Sequence, residues 1–413
     1  MTSATTSARA GRSAPGGFHA VRLSDTLYDV RKLLWTGLLA TAALAQTASP
    51  KRTVFEGKPS LSLANGKLEL TVLVQGTSMA DLVMLDDTER LSPLWNPARM
   101  ARELGRPSEF SGTGHFVCVD GFGPTSAEER KAGLEGHGEA HRQTYEITRY
   151  AKEGSATSLT LTARLPIVQE QFTRTFRMVD GENVVYVESS LENLLGFDRP
   201  VNWAEHATIG SPFLEPGVTV VDLSGSRSQT RPYPKADVGT ISRRLTSGGD
   251  FTWPMAPALD GAKVDLRATP TETRYLDHAT TLLDPARALE WVTAINPRRR
   301  LLYGYVFKRE EYPWLQYWGN YPPTGKLARG LEFGTQPYDV PRRESIGTGT
   351  MFDTPTYRWL PAKSKIGSRF LLFYVRVPEG FRKVDDVRLE NGRIVIEDRA
   401  AKQSVTLAAS LPL

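Results

Sequence analysis

Alternation with a period of two, broken by turn dipeptides, is the feature that most constrains this chain. Successive side chains of a strand point to opposite faces, so such runs read as strands with one face buried. Lys67–Val74 (KLELTVLV) alternates directly after Asn65-Gly66, and Ser158–Leu165 (SLTLTARL) alternates again. Gln171–Met178 (QFTRTFRM) and Asn183–Leu191 (NVVYVESSL) flank Asp180-Gly181, a pair that tolerates positive φ and closes a hairpin. Further strands are predicted at Leu301–Lys308, Phe370–Val377, Asp386–Leu389 and Arg393–Asp398, the last two joined across Asn391-Gly392. Helical patterns are short: Asn96–Leu104, Ser126–Ala132 and Asp284–Leu289. Strands without regular helix alternation predict an all-β architecture, antiparallel sheets packed as a large sandwich with few short helices. No fixed repeat and no low-complexity linker divides the chain after about Ser49, so residues 50–413 are expected to form a single domain.

The amino-terminal stretch has another character. Val30–Gln46 reads VRKLLWTGLLATAALAQ, with Arg31 and Lys32 before an apolar run and Ala43-Leu44-Ala45 as a small-x-small site. This is the pattern of a secretory signal, cleaved near Ala45. The Ser/Thr/Gly/Ala-rich residues before it are unlike a leader, which is explained if translation starts at Val30. The expectation is an exported protein, periplasmic or extracellular, with residues 1–49 as leader and signal and no membrane span in the mature chain. Hydrophobic residues at 40% and charged residues at 23% are ordinary for a globular protein, and a net charge of +5 over 413 residues is a mild excess. Basic residues are scattered apart from Arg298–Arg300, without interleaved aromatics, which argues against nucleic acid as a partner. Cys118 is the one cysteine and lies in an apolar run (HFVCV), where it reads as inert core.

Polar residues concentrate in three places. Phe122-Gly123-Pro124 leads to Gly136-His137-Gly138-Glu139-Ala140-His141-Arg142, and glycines on both sides of His137 suggest a loop approaching something closely. Asn202-Trp203-Ala204-Glu205-His206 follows a predicted strand. Trp314-Leu315-Gln316-Tyr317-Trp318 and Arg329-Gly330-Leu331-Glu332-Phe333-Gly334-Thr335-Gln336-Pro337 come last. No Cys/His set has zinc spacing and no Asp-rich loop reads as a calcium site, so neither metal nor cofactor is expected. His115, His278 and Arg298–Arg300 read as structural or solvated.

These segments, in this order, resemble the galactose mutarotase-like superfamily, which includes the aldose 1-epimerases and glucose-6-phosphate 1-epimerases. The likeness covers most of Asn65–Pro378. Phe122-Gly123-Pro124 followed by His137-Gly138 is closer to the hexose-phosphate version, although that version has Arg four residues after the His, where this chain has His141, with Arg142 one later. Arg99 is one candidate for the family's early arginine. The residues after His206 (Ala207-Thr208-Ile209-Gly210) also depart from the aldose 1-epimerase pattern. The resemblance implies a β-supersandwich and an isomerase that interconverts sugar anomers, acting on a monosaccharide or an oligosaccharide end. Export argues against a phosphosugar, since sugar phosphates are largely cytosolic.

Mutarotation needs a base at the anomeric hydroxyl and an acid at the ring oxygen. By resemblance Glu332 is the base, with a carboxylate that is cheap to keep ionised, and His206 is the acid. His137 is expected to hydrogen-bond the sugar, with Arg142, His141, Trp203, Gln316, Trp318 and Gln336 completing the binding surface. Two alternatives stand beside this reading. One is a non-catalytic carbohydrate-binding protein, suggested by the extension between Pro212 and Ala294. The other is a carbohydrate-cleaving enzyme on the same fold that uses Glu332 with Glu139 or Glu205.

Overall fold

The computed structural model describes residues 49–108, 112–233 and 242–413; the signal-like stretch lies outside them. Strands dominate. An eleven-stranded antiparallel sheet runs in the order Lys51–Phe55, Lys58–Ala64, Leu68–Leu73, Met79–Met84, His115–Val119, Trp203–Gly210, Ala328–Gly334, Trp314–Tyr321, Tyr275–Leu283, Gly225–Thr230 and Asp250–Thr252. An eight-stranded sheet runs Val220–Leu223, Leu289–Asn296, Leu301–Lys308, Lys365–Arg376, Val184–Asn193, Glu170–Val179, Ala156–Leu165 and Glu146–Glu153.

The two sheets share one apolar core. Leu70, Val117, Trp203 and Phe333 of the larger sheet meet Phe172, Val187, Tyr305 and Leu372 of the smaller. A three-stranded carboxy-terminal sheet, Asp386–Glu390, Arg393–Asp398 and Gln403–Ala408, covers the far side of the eight-stranded sheet. Tyr186, Leu302, Leu371 and Phe373 there pack on Val387, Ile394, Ile396 and Leu407. Central strands buried on both faces need no polar alternation, which explains the unbroken run FLLFYV at 370–375.

Predicted hairpins form where the turn dipeptides stand: Gly181 and Gly392 take φ of +82° and +72°. The helices at 96–104 and 126–132 form as Pro97–Glu103 and Ala127–Lys131, the first capped by the Asn96 side chain and the second by a Ser126/Glu129 capping box. The expected helix at 284–289 does not form. Asp284 instead accepts a bond from the Ala286 N–H, and this short turn feeds directly into the Leu289–Asn296 strand. A helix at Arg342–Thr348 follows Pro341, without a sequence signal that had marked it. Among the described residues no helix is long and apolar enough to cross a membrane.

Candidate active site

Four adjacent strands of the large sheet carry the site on the face turned away from the core. Their parity decides which residues reach it. Trp203, Ala207, Leu315 and Phe333 point inward. The intervening Phe116, His206, Gln316 and Glu332 point outward and line one cavity of about 260 Å³. Register aligns them into a row: His206 pairs with Phe116, Gln316 pairs with Glu332, and the pairs Glu205–Phe333 and Thr208–Gly330 bracket His206 beside Glu332. His206 Nε2 lies 3.2 Å from Glu332 Oε1. The contact is poorly aligned, and Oε1 has no hydrogen-bond partner among the described residues. Glu332 Oε2 accepts from Gln316 Nε2 at 2.9 Å. A β-carbon at position 330 would collide with the Glu332 carboxylate, so Gly330 leaves the space into which that carboxylate bends.

His206 is held from two sides. Its ring stacks on Phe116, with centroids 4.1 Å apart, and its Nδ1 lies 2.9 Å from the Thr208 hydroxyl. A hydroxyl donates or accepts equally well, so Thr208 supports either neutral tautomer.

The cavity wall opposite comes from the loop after Phe122. His137 has φ +68°, a left-handed conformation that costs a side-chain-bearing residue about 1–3 kcal/mol. Its neighbour Gly138 has φ +76°, and a β-carbon there would strike the Val119 carbonyl, so the loop lies directly against the end of the His115–Val119 strand. The His137 N–H donates to the Gly123 carbonyl at 2.9 Å. The Gly123 N–H donates to His137 Nδ1 at 3.3 Å, which places the ring proton on Nε2. The His137 ring sits 5.0 Å from that of His206 and 6.1 Å from that of His141.

Burial sets the charge state. It pushes Glu332 up to about 8, against the weaker opposing effects of the Gln316 hydrogen bond and the Arg231 charge. It also lowers His137 to about 4 and His141 to about 3, with Arg142 adding to both, and takes His206 well below its ordinary value. At neutral pH these shifts favour neutral imidazoles and a protonated Glu332. Cys118 lies beneath, its thiol raised by burial and 3.5 Å from His137 Nδ1.

The structure brings His137, His141, His206, Gln316, Trp318 and Glu332 into one cavity. It leaves three expected residues outside. Arg142 turns outward to Glu135 at 2.7 Å. Trp203 lies on the core face, donating to Glu205 Oε1 at 3.1 Å and packing on Phe172. Gln336 is buried away from the cavity, its amide without a partner among the described residues. Arg99 bonds the Ser211 carbonyl and does not reach the cavity.

Trp95, Phe116 and Asp339 line the cavity without having been named as site residues, as does Phe122, which was read only as part of its Phe-Gly-Pro motif. Phe116 was hidden in HFVCV, an apolar run in which a cavity floor cannot be told from core; nothing in the sequence marked Asp339. Asp339 meets Arg231 and lies 3.3 Å from His278 Nε2. Among the described residues no cluster of His, Cys, Asp or Glu is placed to hold a metal ion.

This fold, a large antiparallel supersandwich, is the galactose mutarotase-like fold. Among solved structures, the chain is similar to a galactose mutarotase-like protein from Clostridium acetobutylicum, with TM-score 0.55 and 11% identity over 79% of this chain and 98% of that one. It is similar to a galactose mutarotase related enzyme from Lactobacillus acidophilus, with TM-score 0.52 and 12% identity over 80% and 100%. It also resembles a Klebsiella pneumoniae protein provisionally assigned as an aldose 1-epimerase, with TM-score 0.55 and 12% identity over 78% and 80%. No family profile and no curated protein sequence matches the chain. At such identities the likeness is one of fold.

Proposed function

We propose that this protein interconverts the anomers of a sugar by acid/base ring opening, in the manner of an aldose 1-epimerase. The observation that carries the reading is the 3.2 Å approach of His206 to Glu332 in a cavity of monosaccharide scale, with one carboxylate oxygen unpartnered.

Ring opening moves a proton off the anomeric hydroxyl and another onto the ring oxygen; closure reverses both transfers. The reaction needs one proton shared between two groups, and the neutral Glu332–His206 pair holds one. Burial, which raises Glu332 and lowers His206, favours Glu332 as its resting place. A sugar hydroxyl that donates to Oε1 stabilises the carboxylate and shifts the proton to His206, which makes Glu332 the base and His206 the acid. Thr208 accommodates the imidazole in either state. His137, with its proton on Nε2, is a donor for the open-chain oxygen. Trp318, Trp95 and Phe116 supply apolar surface for a ring face.

The cleavage alternative finds less support. It needs a second carboxylate, and the two it named turn elsewhere: Glu139 accepts from the Ile167 and Val168 amides, and Glu205 lies on the core face. Asp339 does reach the cavity but is engaged by Arg231 and His278.

The test is anomer exchange of α-glucose and α-galactose, followed by polarimetry or exchange NMR. Wild type should accelerate it over buffer, and Glu332→Gln should lose about 10²–10⁴-fold of that acceleration. Sugar binding with exchange at the buffer rate would leave a carbohydrate-binding protein instead. The export reading from the leader is proposed with it, and is checked by fractionation and amino-terminal sequencing of the mature chain.

A further inference from the structure

We infer that the site takes the reducing end of an oligosaccharide, with a second sugar ring seated in an adjoining cavity; this rests on the sugar-handling reading above. The second cavity, of about 360 Å³, shares Trp95 with the first. Trp95 lines both and meets Trp318, which lines the first, edge to face at 6.1 Å.

One strand face serves both. On Trp314–Tyr321, Gln316 and Trp318 line the first cavity and Asn320, two residues on, lines the second. On the paired strand Glu332, Gly330 and Ala328 stand opposite them in that order. At about 3.3 Å per residue, Gln316 and Asn320 are about 13 Å apart, longer than a single pyranose needs.

The second cavity is built as a sugar subsite would be. Met100, Pro322 and Pro323 give it flat apolar walls beside Trp95. Asn320 Oδ1 is buried and has no hydrogen-bond partner among the described residues, an acceptor that a sugar hydroxyl satisfies. Lys326, drawn to Glu103, lies at the rim. The first cavity alone holds the acid/base pair, so the ring with the free anomeric centre belongs there and the glycosidic bond passes over the Trp95–Trp318 edge.

The experiment compares glucose with maltose and cellobiose, and galactose with β-1,4-galactobiose, measuring dissociation constants by calorimetry and anomer exchange by NMR on the full chain. At least one disaccharide should be preferred over its monosaccharide by about tenfold or more. Asn320→Ala and, independently, Thr324→Trp at the exposed rim should each cut that preference at least fivefold. Equal handling of monosaccharides and all disaccharides, or a preference that survives both variants, overturns the second subsite while leaving the first reading intact. Binding without exchange that still favours a disaccharide removes the isomerase reading and keeps the subsite. Binding of no sugar in the panel overturns both.

Discussion

Glu205 and Glu332 are two buried carboxylates on neighbouring strands, and the protein treats them in opposite ways. Glu205 faces the core. Arg174 bonds it at 2.6 Å, His115 at 2.8 Å, and Trp203 and Tyr312 each at 3.1 Å. Burial pushes this carboxyl up, but the Arg174 charge and the His115 and Trp203 hydrogen bonds outweigh it and hold the group below its ordinary range. Glu332 faces the cavity with one hydrogen bond, from Gln316, and burial wins. The difference teaches how to read polar groups in a β-sandwich: saturation marks a structural centre, and a shortfall points to a ligand only where it also faces a cavity, as at Glu332 and not at the unpartnered Gln336.

The sharpest break in that comparison is expected in stability. Glu205→Gln leaves Arg174 buried without its counter-charge and should cost about 3–5 kcal/mol in urea unfolding at pH 7. Glu332→Gln should cost far less, since its partners lose one modest contact. Equal losses at the two positions would erase the distinction.

Acid and alkali probe the cavity next. His137 is lowered from 6.5 to about 4, so its contribution is present above pH 6.5 and is lost as pH falls towards 4. His137→Asn, which tolerates the left-handed backbone, should remove about 3 kcal/mol of the wild-type loss over that interval. Glu332 has the opposite sign. Raised from 4.5 to about 8, it contributes stability below pH 4.5 that fades as pH rises through 8. Glu332→Gln should therefore gain on wild type between pH 5 and 9, read from unfolding midpoints across that range.

The smallest effect sharpens the geometry. Gly330→Ala displaces the Glu332 carboxylate and should slow anomer exchange by about tenfold with little change in unfolding, because positioning errors near 1 Å are felt in rate. An unchanged rate would show that the bend of Glu332 over Gly330 is immaterial.

Much of this was legible in the chain. Hairpin dipeptides at 180–181 and 391–392 and the run at 301–308 fixed strands closely, because turn chemistry and alternation act locally. His206, Glu332 and His137 could be singled out, though order along the chain could not show their contact; cross-strand register does. Trp203 misled because adjacent residues of a strand face opposite ways, so the neighbour of a cavity residue belongs to the core. Arg142 misled for another reason: the short helical turn Ala140–Arg142 carries it outward to Glu135. Phe116 and Asp339 gave no local signal, since their roles arise from what packs beside them.

The candidate site draws on the His115–Val119, Trp203–Gly210, Trp314–Tyr321 and Ala328–Gly334 strands, which lie side by side in space; the last two form a hairpin, and the first two come from distant parts of the sequence. His206 and Glu332 lie on paired strands more than a hundred residues apart, so no single hairpin brings proton donor and acceptor together. Turnover would then be all-or-nothing with respect to topology: a chain that has closed its hairpins but not zipped the middle of its largest sheet would be silent. Refolding followed by sugar exchange would report the completion of long-range pairing, the slowest class of contact to form in proteins of this kind.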